Sequence, residues 1–348
     1  MRAFVVSGPS RWSVDDVEPP RANRGQVVVD IERVGVCGTD VEFFTGEMAY
    51  LQQGHAHYPM RLGHEWCGRV ASVGPDVDTE WVGVRVTGDT MLGCGSCRRC
   101  RSGRHHVCAD RFELGIRGGW PGALAEQMAV PVSALHRLPA TVDATAATMV
   151  EPGGSAYRAV DSIGLETGER LLVIGPGTIG LLAALFAQAR GLEVHVLGIE
   201  PDTVEFARTL GVDGAWTASD LPDEPFDAII DATNSASIPA RALDLVEPAR
   251  RVVYVGLAGT PSNIDTRTLA LKDVTAVGIL GGSDGLAGAI AEYASGRVDP
   301  RPLVAATVSL DEIGAVLGGT FPSRAGPGPK IQVDPRQDTQ HDTNSGMG

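Results

Sequence analysis

The run "RLLVIGPGTIGLLAALFAQARG", residues 170–191, narrows the possible folds more than any other stretch of this chain. It carries no charge from Leu171 to Ala189, and is nearly long enough to span a bilayer. Gly175, Pro176 and Gly177 interrupt it after four apolar residues, so it reads better as a buried strand, a tight turn and a core helix. The turn spells G-x-G-x-x-G. In that pattern Gly175 permits the turn, Gly177 leaves room for a pyrophosphate, and Gly180 lets helix and strand approach. Thr178 and Ile179 open the helix, whose free N–H groups and positive dipole end suit phosphate. The fingerprint alone is a weak signal. With a strand before it, a helix after it and a second strand at "LEVHVLGI" (192–199), it forms a complete βαβ unit and predicts dinucleotide binding. "FDAIIDATN" (226–234), "RVVYVGL" (251–257) and "DVTAVGIL" (273–280) read as further strands of a doubly wound parallel sheet.

A second constraint is "CGSCRRCRSGRHHVC", residues 94–108. Cys94, Cys97, Cys100 and Cys108 follow the spacing C-x2-C-x2-C-x7-C, which can fold four sulfurs around one tetrahedral zinc. Ferredoxins open the same way but close with x3-C-P, and here Ala109 follows the last cysteine. Four thiolates leave no open coordination position, so this zinc is expected to be structural. Arg98, Arg99, Arg101 and Arg104 are placed to offset its negative charge and to donate hydrogen bonds to sulfur.

Composition bounds the partners. The chain has 348 residues and a formal net charge of −14, which argues against nucleic acid or an anionic membrane surface as partner. Of its 29 basic residues only Lys272 and Lys330 are lysines, a bias read as genomic and not chemical. The first dozen residues, "MRAFVVSGPSRW", lack an apolar segment of signal-peptide length, and a cytoplasmic location is expected. Clustered cysteines in that setting point to metal and not to disulfides.

The remaining chemistry is dispersed. "GVCGTD" (35–40) offers Cys37, "RLGHEWCG" (61–68) offers His64 and Glu65, and "MVEPGG" (149–154) offers Glu151, with Pro152 suited to the start of a helix. Singly, each could be ordinary core packing. As an ordered set with the four-cysteine lobe and the glycine fingerprint, they resemble the zinc-dependent medium-chain dehydrogenase/reductase family over nearly the whole chain, to about residue 334.

The resemblance implies an α/β architecture: a discontinuous, β-rich GroES-like catalytic domain (1–151 and 289–334, zinc lobe at about 90–110) and a Rossmann domain (152–288). The polar stretch 335–348 is expected to be a disordered tail. The resemblance further implies two zinc ions per chain. Cys37, His64 and Glu65 would hold the catalytic one, with Glu151 as fourth ligand or as the carboxylate that holds a zinc-bound water. Thr39 stands at the proton-relay hydroxyl and Asp40 at the carboxylate that orients a ligand imidazole. Glu42 occupies the place where many relatives have an outward-relaying histidine. Cys67 matches no ligand and reads as packing. Gly198 stands where the ribose-binding acid is usual. Glu200, two residues on, would accept bonds from a diol and repel a 2′-phosphate, so NAD is expected over NADP; Arg208 is too far along the next helix to count.

The activity implied is oxidation of a secondary alcohol of polyol, cyclitol or sugar type to a ketone, by hydride transfer to NAD(P). Running the reaction as an NADPH-dependent carbonyl reductase, or a non-catalytic dinucleotide-binding role, are the alternatives. Gln53, His55 and His57 in the polar insert 46–59, with Glu113 and Trp120, are candidate hydroxyl-binding residues, and a solvated loop explains the insert equally well. Family members are commonly homodimers or homotetramers.

Overall fold

The computed structural model describes residues 1–337. The chain forms two compact units, 1–138 with 304–326 and 330 onward, and 139–303 with 327–329. These boundaries differ from 151/152 and 288/289. The helices Val150–Ser162 and Leu286–Ser295 pack on each other through Gly153, whose missing side chain admits the Tyr293 ring, and both belong to the second unit. Of the tail, Pro335–Gln337 are described, with Arg336 bridging to Asp30 at 2.9 Å. The rest of the expected disordered segment lies outside the described residues.

The second unit is a six-stranded, wholly parallel sheet. Its strand order is Gly214–Trp216, Glu193–Leu197, Arg170–Ile174, Phe226–Asp231, Val246–Tyr254 and Thr275–Gly278. The order reverses between Arg170–Ile174 and Phe226–Asp231, the switch point where such sheets take dinucleotides. The uncharged run resolves into the strand Arg170–Ile174 and the helix Thr178–Ala189. No helix of the described residues is long and apolar enough to cross a membrane. The short strand Gly214–Trp216 is absent from the sequence reading, because three residues carry no periodicity.

The first unit is built on a seven-stranded sheet around the long strand Gln26–Gly35. Glu65–Val73 pairs along one edge of it. Gln127–Pro131 takes the first half of the other edge, and Lys330–Val333 pairs with its last two residues. Trp66, Phe4, Phe43, Leu114, Leu124 and Met128 are fully buried in its core. Each contributes about 2–3 kcal/mol of burial energy. The far end of Gln26–Gly35 is the functional end: Gly35 lies opposite Glu65 on one side and Gln332 on the other.

Gly180 shows how closely the glycine turn is packed. A Cβ there would lie 1.9 Å from the Gly175 carbonyl oxygen. Gly180→Ala is therefore expected to lower stability by about 1–3 kcal/mol, measured by urea unfolding, and to weaken NADH binding in a fluorescence titration.

Candidate active site and metal centres

The strand Gln26–Gly35 ends one residue short of Val36, and Cys37 then caps the helix Gly38–Thr45. The cap explains the "CGTD" spacing. Asp40, three residues on, returns its carboxylate to accept the Cys37 N–H at 2.9 Å. The second Asp40 oxygen accepts the Gly63 N–H at 3.1 Å and faces His64 Nδ1 at 3.6 Å. Gly63 takes a φ of +94°, and a Cβ there would crowd the Leu124 backbone, so this approach needs glycine. With Nδ1 turned to Asp40, His64 Nε2 is the nitrogen left for a metal.

Cys37, His64 and Glu65 form one group whose ligand atoms all lie within 4.8 Å of one another. A thiolate, an imidazole and a carboxylate at that spacing suit a zinc with an open position. His64 Nδ1 is buried and has no hydrogen bond within geometric limits, so the ring is held by charge and packing. Burial opposes charge on His64, but Asp40 and Cys37 outweigh it and lift its pKa well above the usual imidazole value. Burial likewise opposes charge on Asp40, yet the facing His64 and the N–H groups of Cys37 and Gly63 hold its carboxyl below the usual range. A metal ion held there would have to displace a proton from His64, so its affinity would fall as pH falls.

The sequence reading missed Lys330, the first residue of the C-terminal strand. Its Nζ lies 2.8 and 2.7 Å from the two Glu65 oxygens and 2.8 Å from the Val36 carbonyl, and it is 2% exposed. Burial works against the ammonium, but Glu65 and Cys37 overcome it and raise its pKa. Gly35 makes the space: a Cβ there would lie 2.1 Å from Glu65 Oε2. The signal available in the sequence was the rarity of lysine itself.

The four cysteines of the lobe also converge. Cys97 Sγ lies 3.5 Å from Cys100 and 3.8 Å from Cys108, and Cys94 Sγ lies 3.9 Å from Cys100. Hydrogen bonds involving Ser96 and the Cys97 N–H draw the Cys94 thiol down to about 6, while burial and the neighbouring thiols push Cys100 up to about 12. The bare cluster thus resists carrying four negative charges, which a divalent cation would permit. Among the described residues no arginine of the lobe donates a hydrogen bond to these sulfurs. The sulfur-bound donors include the N–H groups of Cys97 and Cys100, and the Arg99 guanidinium bonds the Val107 carbonyl at 3.0 Å.

The other predicted residues fall as follows. Thr39 is partly buried in the first turn of the helix capped by Cys37. Glu42 lies one turn on, with its carboxyl pushed up by partial burial and by Glu47. Cys67 is fully buried in the strand Glu65–Val73 and stands outside both metal groups. Gln53, His55 and His57 are exposed. Glu113 is buried and ion-paired with Arg111 at 2.7 Å. In the second unit, Glu151 lies in the first turn of the helix Val150–Ser162. Gly175 has a φ of +101°, and Gly177 caps the helix with open space where its Cβ would be. Thr178, Ile179 and Gly180 supply the first N–H groups of that helix. Gly198 is buried; a Cβ there would lie 2.8 Å from Pro176 and 2.9 Å from Val204, so no acid fits. Glu200 is exposed at the cap of the next helix, and Arg208 is committed to Glu205 and the Ala215 carbonyl.

A parallel sheet with a phosphate-binding turn, together with an open Cys–His–Glu group, defines a metal-dependent, dinucleotide-linked oxidoreductase class. Comparison with known proteins agrees. Residues 23–140 match the alcohol dehydrogenase GroES-like domain and residues 178–295 the zinc-binding dehydrogenase domain. An L-threonine 3-dehydrogenase of Sinorhizobium medicae is 30% identical, over 96% of this chain and 98% of its own. An alcohol dehydrogenase of Escherichia coli CFT073, solved with NADH, superposes with a TM-score of 0.87 at 25% identity, over 96% of this chain and 99% of its own. A zinc-binding dehydrogenase of Sinorhizobium meliloti 1021, solved with NADP, does so with a TM-score of 0.86 at 25% identity and the same coverage. The chain belongs to the zinc-dependent medium-chain dehydrogenase family and is an oxidoreductase of the alcohol dehydrogenase type.

Replacing Lys330 by Met would leave the Glu65 carboxylate buried without its counter-charge. A loss of about 3–5 kcal/mol is expected in denaturant unfolding, with Lys330→Arg much closer to wild type. Cys100→Ser is expected to remove one zinc per chain by elemental analysis while leaving the cobalt spectrum of the Cys37 site in place.

Proposed function

We propose that the protein oxidises a secondary alcohol on a small polar substrate to a ketone, with NAD as the preferred acceptor. The observation that carries this reading is the Cys37–His64–Glu65 group, three donors of the right kinds within 4.8 Å of one another. Those residues would hold a zinc ion, which would supply Lewis acidity towards a hydroxyl, and a nicotinamide dinucleotide on the glycine turn would supply the hydride acceptor.

The chain's own residues do the rest. Cys37 and His64 bring one negative and one neutral donor, and Asp40 fixes the imidazole from behind. Glu65 adds a carboxylate whose charge Lys330 balances. Thr39, two residues past Cys37, is the hydroxyl that takes up the substrate proton, and Glu42, one turn on, serves as a later acceptor. Gly175, Gly177 and Gly180, with the N–H groups of Thr178 and Ile179, cradle the pyrophosphate.

A polyol, cyclitol, sugar or hydroxy-amino-acid substrate is the class favoured. The Cys–His–Glu donor set supports it, and so does likeness to a dehydrogenase of threonine, itself a small secondary alcohol. NAD preference rests on Glu200, exposed two residues past Gly198, and on Arg208 being held by Glu205 and the Ala215 carbonyl. A family-typical homodimer or homotetramer in the cytoplasm completes the proposal.

Two experiments test it. Cys37→Ala is expected to abolish turnover on a panel of polyols and hydroxy acids, read as nicotinamide absorbance, while NADH still binds; normal turnover in that variant would refute the zinc role. Glu200→Arg is expected to shift kcat/KM from NAD towards NADP by about tenfold or more, through one added charge-assisted contact.

A further inference from the structure

Arg61 is the odd cation of the first unit. The chain carries 43 acidic against 29 basic residues, and almost every partly buried arginine has found a carboxylate, a carbonyl or an aromatic face. The Arg61 guanidinium makes no hydrogen bond or ion pair among the described residues, although burial is deep enough to lower its pKa. Its nitrogens are not among the sealed, unpartnered polar atoms, so they face open space.

That space is a trench. Two adjoining clefts, of about 280 and 300 Å³, share the wall formed by Arg61, Gly119, Trp120 and Pro121. Neither cleft has an aspartate or glutamate in its lining, despite the acidity of the chain. His57 stands in one and Arg21 in the other. The first is otherwise apolar, walled by Val5, Val17, Pro59, Met60 and Ile116. The shared wall is fixed in place: Trp120 Nε1 donates to the Ala129 carbonyl at 3.1 Å, its ring meets Phe112 edge to face, and the Arg61 carbonyl accepts the Gly122 N–H at 3.0 Å. None of Cys37, His64, Glu65 and Lys330 lines it.

We propose that this trench is a binding site for a carboxylate carried on a compact apolar body, separate from the metal site. The planar guanidinium pairs with the carboxylate through two parallel hydrogen bonds, and the aliphatic wall and the Trp120 ring take the apolar part. A guanidinium that is partly desolvated and lacks an internal counter-charge gains more from an incoming anion than an exposed one does.

The test is calorimetric titration of the full chain, with metals bound, by phenylacetate, by its neutral isostere phenylacetamide, and by inorganic phosphate. Phenylacetate is expected to bind once per chain, and phenylacetamide about tenfold or more weakly, because it lacks the charge-assisted pair. Phosphate, which leaves the apolar wall uncovered, should bind more weakly than phenylacetate. Arg61→Gln should erase the preference for the acid over the amide. Arg61→Lys should keep the preference but lose several-fold in affinity, and Cys37→Ser should change nothing. Equal binding of acid and amide, tighter binding of phosphate, or an affinity unaltered in both Arg61 variants would overturn the site. So would loss of binding in Cys37→Ser, which would place the anion at the catalytic metal, or absence of binding at millimolar ligand, as when a second copy of the chain covers the trench.

Discussion

The first unit turns on one buried ion pair. Lys330 and Glu65 are both almost wholly withdrawn from water, and the two carboxylate oxygens share a single ammonium. Isolated, either charge would cost several kcal/mol. Together they allow a carboxylate to stand beside the Cys37 thiol and the Asp40 carboxylate, where three negative groups would otherwise repel. The same lysine also bonds the Val36 carbonyl, so it ties down the chain immediately before the metal-binding cysteine. The geometry of the donor set follows from this anchoring as much as from the ligands themselves.

Around the pair, the backbone supplies shape by omission. Gly35 and Gly63 flank the ligands at points where a Cβ would strike the Glu65 carboxylate or the Leu124 backbone. In the other unit Gly180 and Gly198 act in the same way, one against the Gly175 carbonyl and the other against Pro176 and Val204. The proline of the glycine turn and Val204 thus leave no room for a side chain at position 198. Glu200 is the nearest acid the packing leaves exposed on that segment.

Much of this was legible in the residues, and the reason lies in locality. The phosphate turn and the four-cysteine lobe each depend on spacings of a few residues, which sequence displays directly, whereas the Asp40 cap emerged only in the structure. Cys37, His64 and Glu65 were legible only as an ordered family set, because no local rule joins 37 to 64. Lys330 stood out only as a rare lysine, and its pairing was not legible: its partner is 265 positions away, and the strand that carries it is four residues long. The domain boundary was displaced for a related reason, since the Gly153–Tyr293 contact that draws both helices into the second unit is set by packing and not by composition. The arginines of the lobe misled in a third way. Charge near sulfur suggested side-chain donors, whereas a tight turn brings backbone amides there first.

The interrupted layout of the first unit has a consequence for biosynthesis. Glu65 leaves the ribosome early, yet the cation that makes its burial tolerable arrives only after the entire dinucleotide-binding sheet has been made. Until then the nascent amino-terminal half holds an unmatched anion at the end of its central strand, a reason for that end to stay open and hydrated. The group of Cys37, His64 and Glu65 is in this sense complete in its charge balance only when the last strand of the first unit has been made.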